Sequence, residues 1–138
     1  MRTALEIYAG ALENLSRDTL TDLPRYVAEN VVFRDPFNHV IGVDKMQAMF
    51  AHMYDTLGDV RFEVLHQAMT GSTGLLHWRY IATLRGKPWS FEGMSKVIFN
   101  ADGLVISHED HWDAARHFYE HFPIIGWMLK AIRRKLFR

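Results

Sequence analysis

The chain has 138 residues, of which 49% are apolar, 13% aromatic and 23% charged, and it contains no cysteine. This is the size and composition of one ordinary globular domain that can bury a core without staples, and it excludes a disulfide framework or a thiolate metal site. The formal net charge of zero conceals a division: all sixteen acids lie at or before Glu120, whereas 123–138 holds five basic residues and no acid. Such a separation points to a role for the basic segment beyond folding. No apolar signal core follows Met1, and no stretch approaches the roughly 20 apolar residues of a membrane span. The expectation is a cytoplasmic protein.

In chain order, Leu5, Tyr8, Leu12 and Leu15 recur at helical spacing and predict a first helix over about 3–15. After the polar break Ser16-Arg17-Asp18 a second helix is expected, with Thr21 as its cap, Pro24 in its first turn, and Leu20, Leu23 and Val27 facing inward. A short strand over 31–35 is stopped by Pro36, and Gly42 precedes a third helix over about 43–56 with Met46, Met49, Phe50 and Met53 as its core stripe. After Gly58 the period becomes two. Val60, Phe62 and Val64 share one face; so do Leu76, Trp78, Tyr80 and Ala82; and so do Trp89, Phe91, Ser95, Val97 and Phe99. Gly71 and Gly74 frame one turn, and Gly86-Lys87 and Asn100-Ala101-Asp102-Gly103 mark two hairpins. A last strand over 104–112 leads to a helix near 114–121 that Pro123 ends.

Helices followed by a run of antiparallel strands imply an α+β fold. The expected architecture is a cone-shaped curved antiparallel sheet closed by three N-terminal helices, with an extra amphipathic C-terminal helix. The division would be a domain over 1–122 and a basic helix over 123–138.

Three residues break the apolar pattern where it should be strictest. Asp35 shares a strand face with Val31 and Phe33, and His108 and Asp110 share the face of Leu104, Ile106 and Trp112. A charge on a core-facing surface is costly unless it is paired or neutralised, so such residues mark a cavity wall. Asp35 reads as a general base whose pKa is raised by apolar neighbours, or as an aspartate that binds the turn after it. His108 and Asp110 read as an acid–base pair, or as a buried cluster that fixes the sheet. Tyr8 reads as a hydrogen-bond donor to a developing oxyanion, or as a core tyrosine with its hydroxyl satisfied. The aromatic faces add a pocket lining of Phe33, Trp78, Tyr80, Trp89, Phe91 and Trp112, with Ser95 among them.

Tyr8 on the first helix, the run Val32-Phe33-Arg34-Asp35-Pro36, Gly42 opening a helix, the Phe99–Gly103 hairpin and the ending His111-Trp112-Asp113 together resemble the nuclear transport factor 2-like superfamily. Within it the parallels are ketosteroid isomerase and the SnoaL-like polyketide cyclases. Ketosteroid isomerase works with an aspartate base and an oxyanion hole made by a tyrosine and a protonated aspartic acid. The resemblance implies that the base falls on Asp35, the tyrosine on Tyr8, and the protonated acid on Ser95, where this chain lacks it. The polar group then stands one strand over, at His108 and Asp110. Family members often dimerise through the outer sheet face, which implies a homodimer. The implied activity is cofactor-free proton transfer, as isomerase, cyclase or hydrolase, on a small apolar or polycyclic molecule.

No metal is expected: His108 and Asp110 offer two ligands and no third is evident. The run His117-Phe118-Tyr119-Glu120-His121 matches an inverted zinc-protease pattern but sits in a chain too short for that fold. In the basic segment, Ile125, Met128, Leu129, Ile132 and Leu136 fall on one helix face, with Lys130, Arg133, Arg134 and Arg138 on the other and Trp127 near the boundary. This is the pattern of a helix lying in a membrane interface. The alternatives are packing on the body, a lid over the pocket, or a partner contact; nucleic acid is disfavoured by too few bases and too apolar a face. The second functional reading is therefore a non-catalytic module that holds a lipid-like ligand and docks on the inner face of a membrane.

Overall fold

The computed structural model describes residues 1–137; Arg138, counted above with the basic residues, lies outside them. The helices are α1 (Ala4–Glu13), α2 (Val43–Thr56), α3 (Ala114–His117) and α4 (Pro123–Leu136). The strands are β1 (Val27–Arg34), β2 (His39–Ile41), β3 (Gly58–Thr70), β4 (Thr73–Leu84), β5 (Lys87–Phe99) and β6 (Val105–His111). They form one curved, unclosed six-stranded sheet in the order β2-β1-β6-β5-β4-β3. All pairs are antiparallel except β1 with β6, which run parallel. The fold is α+β, as the sequence pattern implied.

α1 is capped by the Thr3 hydroxyl, which accepts from the Glu6 amide at 3.1 Å. Its buried stripe of Leu5, Tyr8, Ala9 and Leu12 lies against the sheet residues Leu76, Val97, Phe99 and Val105. Gly74 permits the close approach: a Cβ there would sit 2.7 Å from Leu5 Cδ1. α2 contributes Met46 to the core, while Met49, Phe50 and Met53 are only half-buried, because the space beneath them is not filled.

Several local expectations need correction. The second helix is a 3₁₀ segment, Leu20–Arg25, with Pro24 near its end rather than in its first turn. Its cap position is Thr19, not Thr21; the Thr19 hydroxyl accepts from the Ser16 amide and donates to the Asn14 carbonyl, binding the preceding turn. Val27 points inward, but from β1. Gly74 lies inside β4, not in the turn. The short edge strand β2 carries no alternating pattern to betray it. On β6 a register shift between Ile98 and Phe99 turns Val105 inward and leaves Ile106 exposed, so Ile106 does not share the face of His108. The stretch 114–121 is a four-residue helix followed by a 3₁₀ turn over Tyr119–His121. Pro123 opens α4 rather than ending a helix, since its missing N–H costs nothing in a first turn.

Gly93 pairs with Trp78 across β4 and β5, and the indole lies over it: a Cβ at Gly93 would be 2.5 Å from the Trp78 ring and 2.9 Å from the His111 carbonyl. Backbone on one side and a buried ring on the other leave little room to relax. Gly93→Ala is expected to cost about 1–3 kcal/mol, read as a lower urea midpoint; an unchanged midpoint contradicts this packing.

Candidate active site

A cavity of about 1130 Å³ opens between α2 and the sheet. Its walls are largely aromatic. Phe91 stacks on Trp112 with centroids 4.1 Å apart, Tyr80 lies 5.2 Å from Phe91, and Trp89 lies 4.9 Å from Phe91. Phe33, Trp78, Trp89 and Trp112 also reach it, as do the carboxylates of Asp35 and Asp110 and the ring of His108.

Asp35 follows the last residue of β1 and is half-buried. Its Oδ1 accepts from the backbone amides of Phe37 (2.8 Å) and Asn38 (2.7 Å), and the Asn38 amide group donates to both oxygens at 3.1 and 3.2 Å. Oδ2 thus carries a single long bond and keeps lone pairs for the cavity. Burial raises the Asp35 pKa above its ordinary 3.8; the Phe37 and Asn38 bonds oppose the rise, and the charge of Asp110 adds to it. The turn-binding and base readings of Asp35 therefore describe two oxygens of one group.

The second carboxylate ends a buried chain of hydrogen bonds. The Tyr8 hydroxyl lies 2.7 Å from His108 Nδ1, and His108 Nε2 lies 2.6 Å from Asp110 Oδ1. From the other side Trp78 Nε1 donates to Ser95 Oγ at 2.8 Å, and Ser95 Oγ donates to the same Asp110 oxygen at 2.5 Å. Indole N–H is only a donor and ionised carboxylate only an acceptor, so Ser95 must pass its proton donation on to Asp110. A hydrogen on His108 Nε2 faces Asp110 Oδ1 and leaves Nδ1 to accept from the Tyr8 hydroxyl. Burial, and then the charge of Asp110, push the Tyr8 pKa well above 10; Tyr8 stays a donor.

Five of the sequence-derived site residues, Tyr8, Trp78, Ser95, His108 and Asp110, are thus linked in one network. Asp35 is not bonded into it and lies one residue beyond the Arg34–Glu109 pair of β1 and β6. Tyr8 and Ser95 are both 1% exposed and lie behind the wall, so each reaches the cavity through Asp110 or His108. Sequence reasoning missed Asn38, although an Asp followed three residues later by Asn after a Pro is a turn signal. It also missed Phe37, Phe118 and Phe122. Phe37 packs on Trp112 and Phe118 at 5.3 and 4.9 Å, and Trp89 Nε1 donates to the His117 carbonyl at 2.6 Å, tying the post-sheet segment to the cavity. Among the described residues no group of three His, Cys, Asp or Glu is placed to hold a metal.

Comparison with known proteins decides the family. A model of the SnoaL-like domain matches residues 8–108. The chain belongs to the SnoaL-like domain family. Solved structures share the fold at low identity. An NTF2-like protein of unknown function from Burkholderia pseudomallei superposes with a TM-score of 0.75 at 18% identity, covering 84% of this chain and 95% of that one. A SnoaL-like polyketide cyclase from Agrobacterium tumefaciens gives 0.70 at 17% identity over 82% and 93%. An LEH-like epoxide hydrolase of M. tuberculosis gives 0.68 at 16% identity over 83% and 84%. No curated protein matches the chain.

Because the folded pKa of Asp35 is raised, the folded state binds this proton more tightly than the unfolded chain does. Stability from this group is fully present below pH 3.8 and falls as pH climbs from there through the raised value. Asp35→Asn keeps a carbonyl oxygen for the Phe37 and Asn38 amides and removes the desolvated charge. The variant is expected to melt at or above the wild-type temperature at pH 7 and to lose that advantage in acid of about pH 3–4. A deficit that grows toward neutral pH contradicts it.

Proposed function

We propose that this SnoaL-like domain binds a small apolar or polycyclic carbonyl compound and catalyses proton transfer on it without a cofactor, with Asp35 as base. The observation that carries the reading is the sharing of one apolar cavity by Asp35 and the Asp110 end of the Tyr8–His108 chain. The volume, about 1130 Å³, suits a ligand of several fused rings, and the aromatic walls supply affinity without charge.

The chemistry follows from which atoms are free. Asp35 Oδ2 takes a proton from the carbon beside the carbonyl, and the C–H electron pair moves into the enolate. Burial and the neighbouring charge make Asp35 a stronger base than an exposed aspartate, which brings it closer to the working pH. In its protonated form Asp110 carries the proton on Oδ2 and donates a hydrogen bond to the enolate oxygen, while Oδ1 keeps the bonds from His108 and Ser95. Tyr8 and Ser95 hold the pair in place; they are positioning residues. Return of the Asp35 proton to a different carbon completes an isomerisation; attack of the enolate carbon on a second carbonyl of the same molecule, with the Asp35 proton passing to the alkoxide that forms, completes a cyclisation. The likeness to a polyketide cyclase and an epoxide hydrolase supports the breadth of chemistry this cavity shape accommodates and no one substrate.

The test is α-proton exchange of a bicyclic ketone, 2-decalone, in D₂O, followed by proton NMR. Wild-type protein is expected to accelerate exchange over buffer, and Asp35→Asn to lose roughly 100-fold or more of that acceleration. Equal exchange by wild type and Asp35→Asn overturns the assignment of the base.

A further inference from the structure

α4 packs on the preceding turn, Tyr119–His121, in an unexpected orientation. At about 100° per residue, Gly126, Lys130, Arg133 and Arg134 occupy one narrow stripe, and Ile124, Ile125, Trp127, Met128, Ile132 and Leu136 fill the wide arc opposite. An ordinary surface helix turns its apolar arc inward. Here Gly126, on the narrow stripe, faces the preceding turn at Glu120 and is the one buried residue of the helix. A Cβ at Gly126 would lie 2.3 Å from the Glu120 carbonyl oxygen, and Arg133 is paired with the Glu120 carboxylate at 2.5 Å. These two contacts fix the rotation of the helix and leave its apolar arc in solvent. Ile124 is 76% exposed, Trp127 71% and Leu136 66%.

We infer that α4 docks the protein on an anionic lipid surface by this outward arc. Its length of 14 residues, and the absence among the described residues of any helix able to cross a membrane, fit a helix that lies in the interface rather than one that spans it. Lys130 and Arg134 flank the arc beside Trp127, and Lys135 interrupts it only in the last turn, where a long side chain can reach headgroups while its stem stays apolar. From residue 121 to 137 there is no acid to oppose a negative surface. A second copy of the chain fits less well. Two α4 arcs face to face would bring the basic flanks of both helices together. The body's own exposed apolar residues, such as Leu75 and Met94, are interleaved on the outer sheet with the ion pairs His77–Glu92 and Arg79–Glu63, so they offer no continuous groove. Phe122, the cap residue of α4, also lines the cavity, so docking by this arc brings the cavity rim close to the lipid.

The experiment is co-sedimentation of the full-length protein with vesicles of phosphatidylcholine containing about one-third phosphatidylglycerol, beside pure phosphatidylcholine. The protein is expected to pellet with the anionic vesicles and much less with the neutral ones, and its tryptophan emission to shift to the blue, with the shift absent in Trp127→Phe. Ile132→Glu, a solvent-facing change whose folding is checked by circular dichroism, is expected to stay in the supernatant. Lys130→Gln and Arg134→Gln are each expected to weaken partition roughly five-fold. No pelleting with anionic vesicles at low salt overturns the inference. So does pelleting that Ile132→Glu leaves intact, and so does a concentration-dependent dimer that Ile132→Glu dissociates, which assigns the arc to a second copy. None of these readouts depends on catalysis.

Discussion

The structure depends on one convergence: Asp110 Oδ1 receives hydrogen bonds from both His108 and Ser95. A carboxylate in an aromatic cavity is tolerable only if its lost hydration is replaced by fixed donors. The replacement here is drawn from three strands and a helix: His108 on the same strand, Ser95 on β5, Trp78 on β4 and Tyr8 on α1. The network therefore joins the helix layer to the sheet at the point where the cavity begins. Among the described residues no buried side-chain nitrogen or oxygen lacks a partner, so the polar interior is complete as built.

Asp35 is the contrasting case. Its bonds come from its own turn and gather mainly on one oxygen. It is held in place but incompletely compensated, which is why burial still dominates its titration. Asp35 receives four hydrogen bonds, three of them on Oδ1, and Asp110 receives two, both on Oδ1. The two groups share a chemistry and differ in support: the donors to Asp35 come from its own turn, and those to Asp110 come from side chains on β5 and β6.

Much of this was legible in the sequence where one face of an element is wholly buried. The alternation of Leu76, Trp78, Tyr80 and Ala82, and of Phe91, Ser95, Val97 and Phe99, survives intact because β4 and β5 are central strands. The stripe of α2 was legible from its helical spacing, although Met49, Phe50 and Met53 are only half-buried over the cavity. The placing of Asp35, His108 and Asp110 on inward faces followed from period two alone. What failed was local irregularity. The bulge that exposes Ile106 has no residue signature, three-residue β2 is too short to show a period, and the 3₁₀ segment at Leu20–Arg25 carries helix-like spacing. The bond between Ser95 and Asp110 needed the β5–β6 register, which pairs them directly and which depends on that same bulge. The amphipathic pattern of α4 was plain from Pro123 onward, but the pattern could not say that its apolar side is left exposed; the contact of Gly126 with Glu120 sets that rotation.

The central claim is that Asp35 and Asp110 are desolvated together in one cavity. Carbon-13 NMR titration of the aspartate carboxyl groups in the full-length protein tests it directly. The account predicts that Asp35 titrates above the ordinary aspartate value and that Asp110→Asn, by removing the neighbouring charge, brings the Asp35 midpoint down. An Asp35 that titrates at 3.8 or below, indifferent to Asp110→Asn, would contradict it.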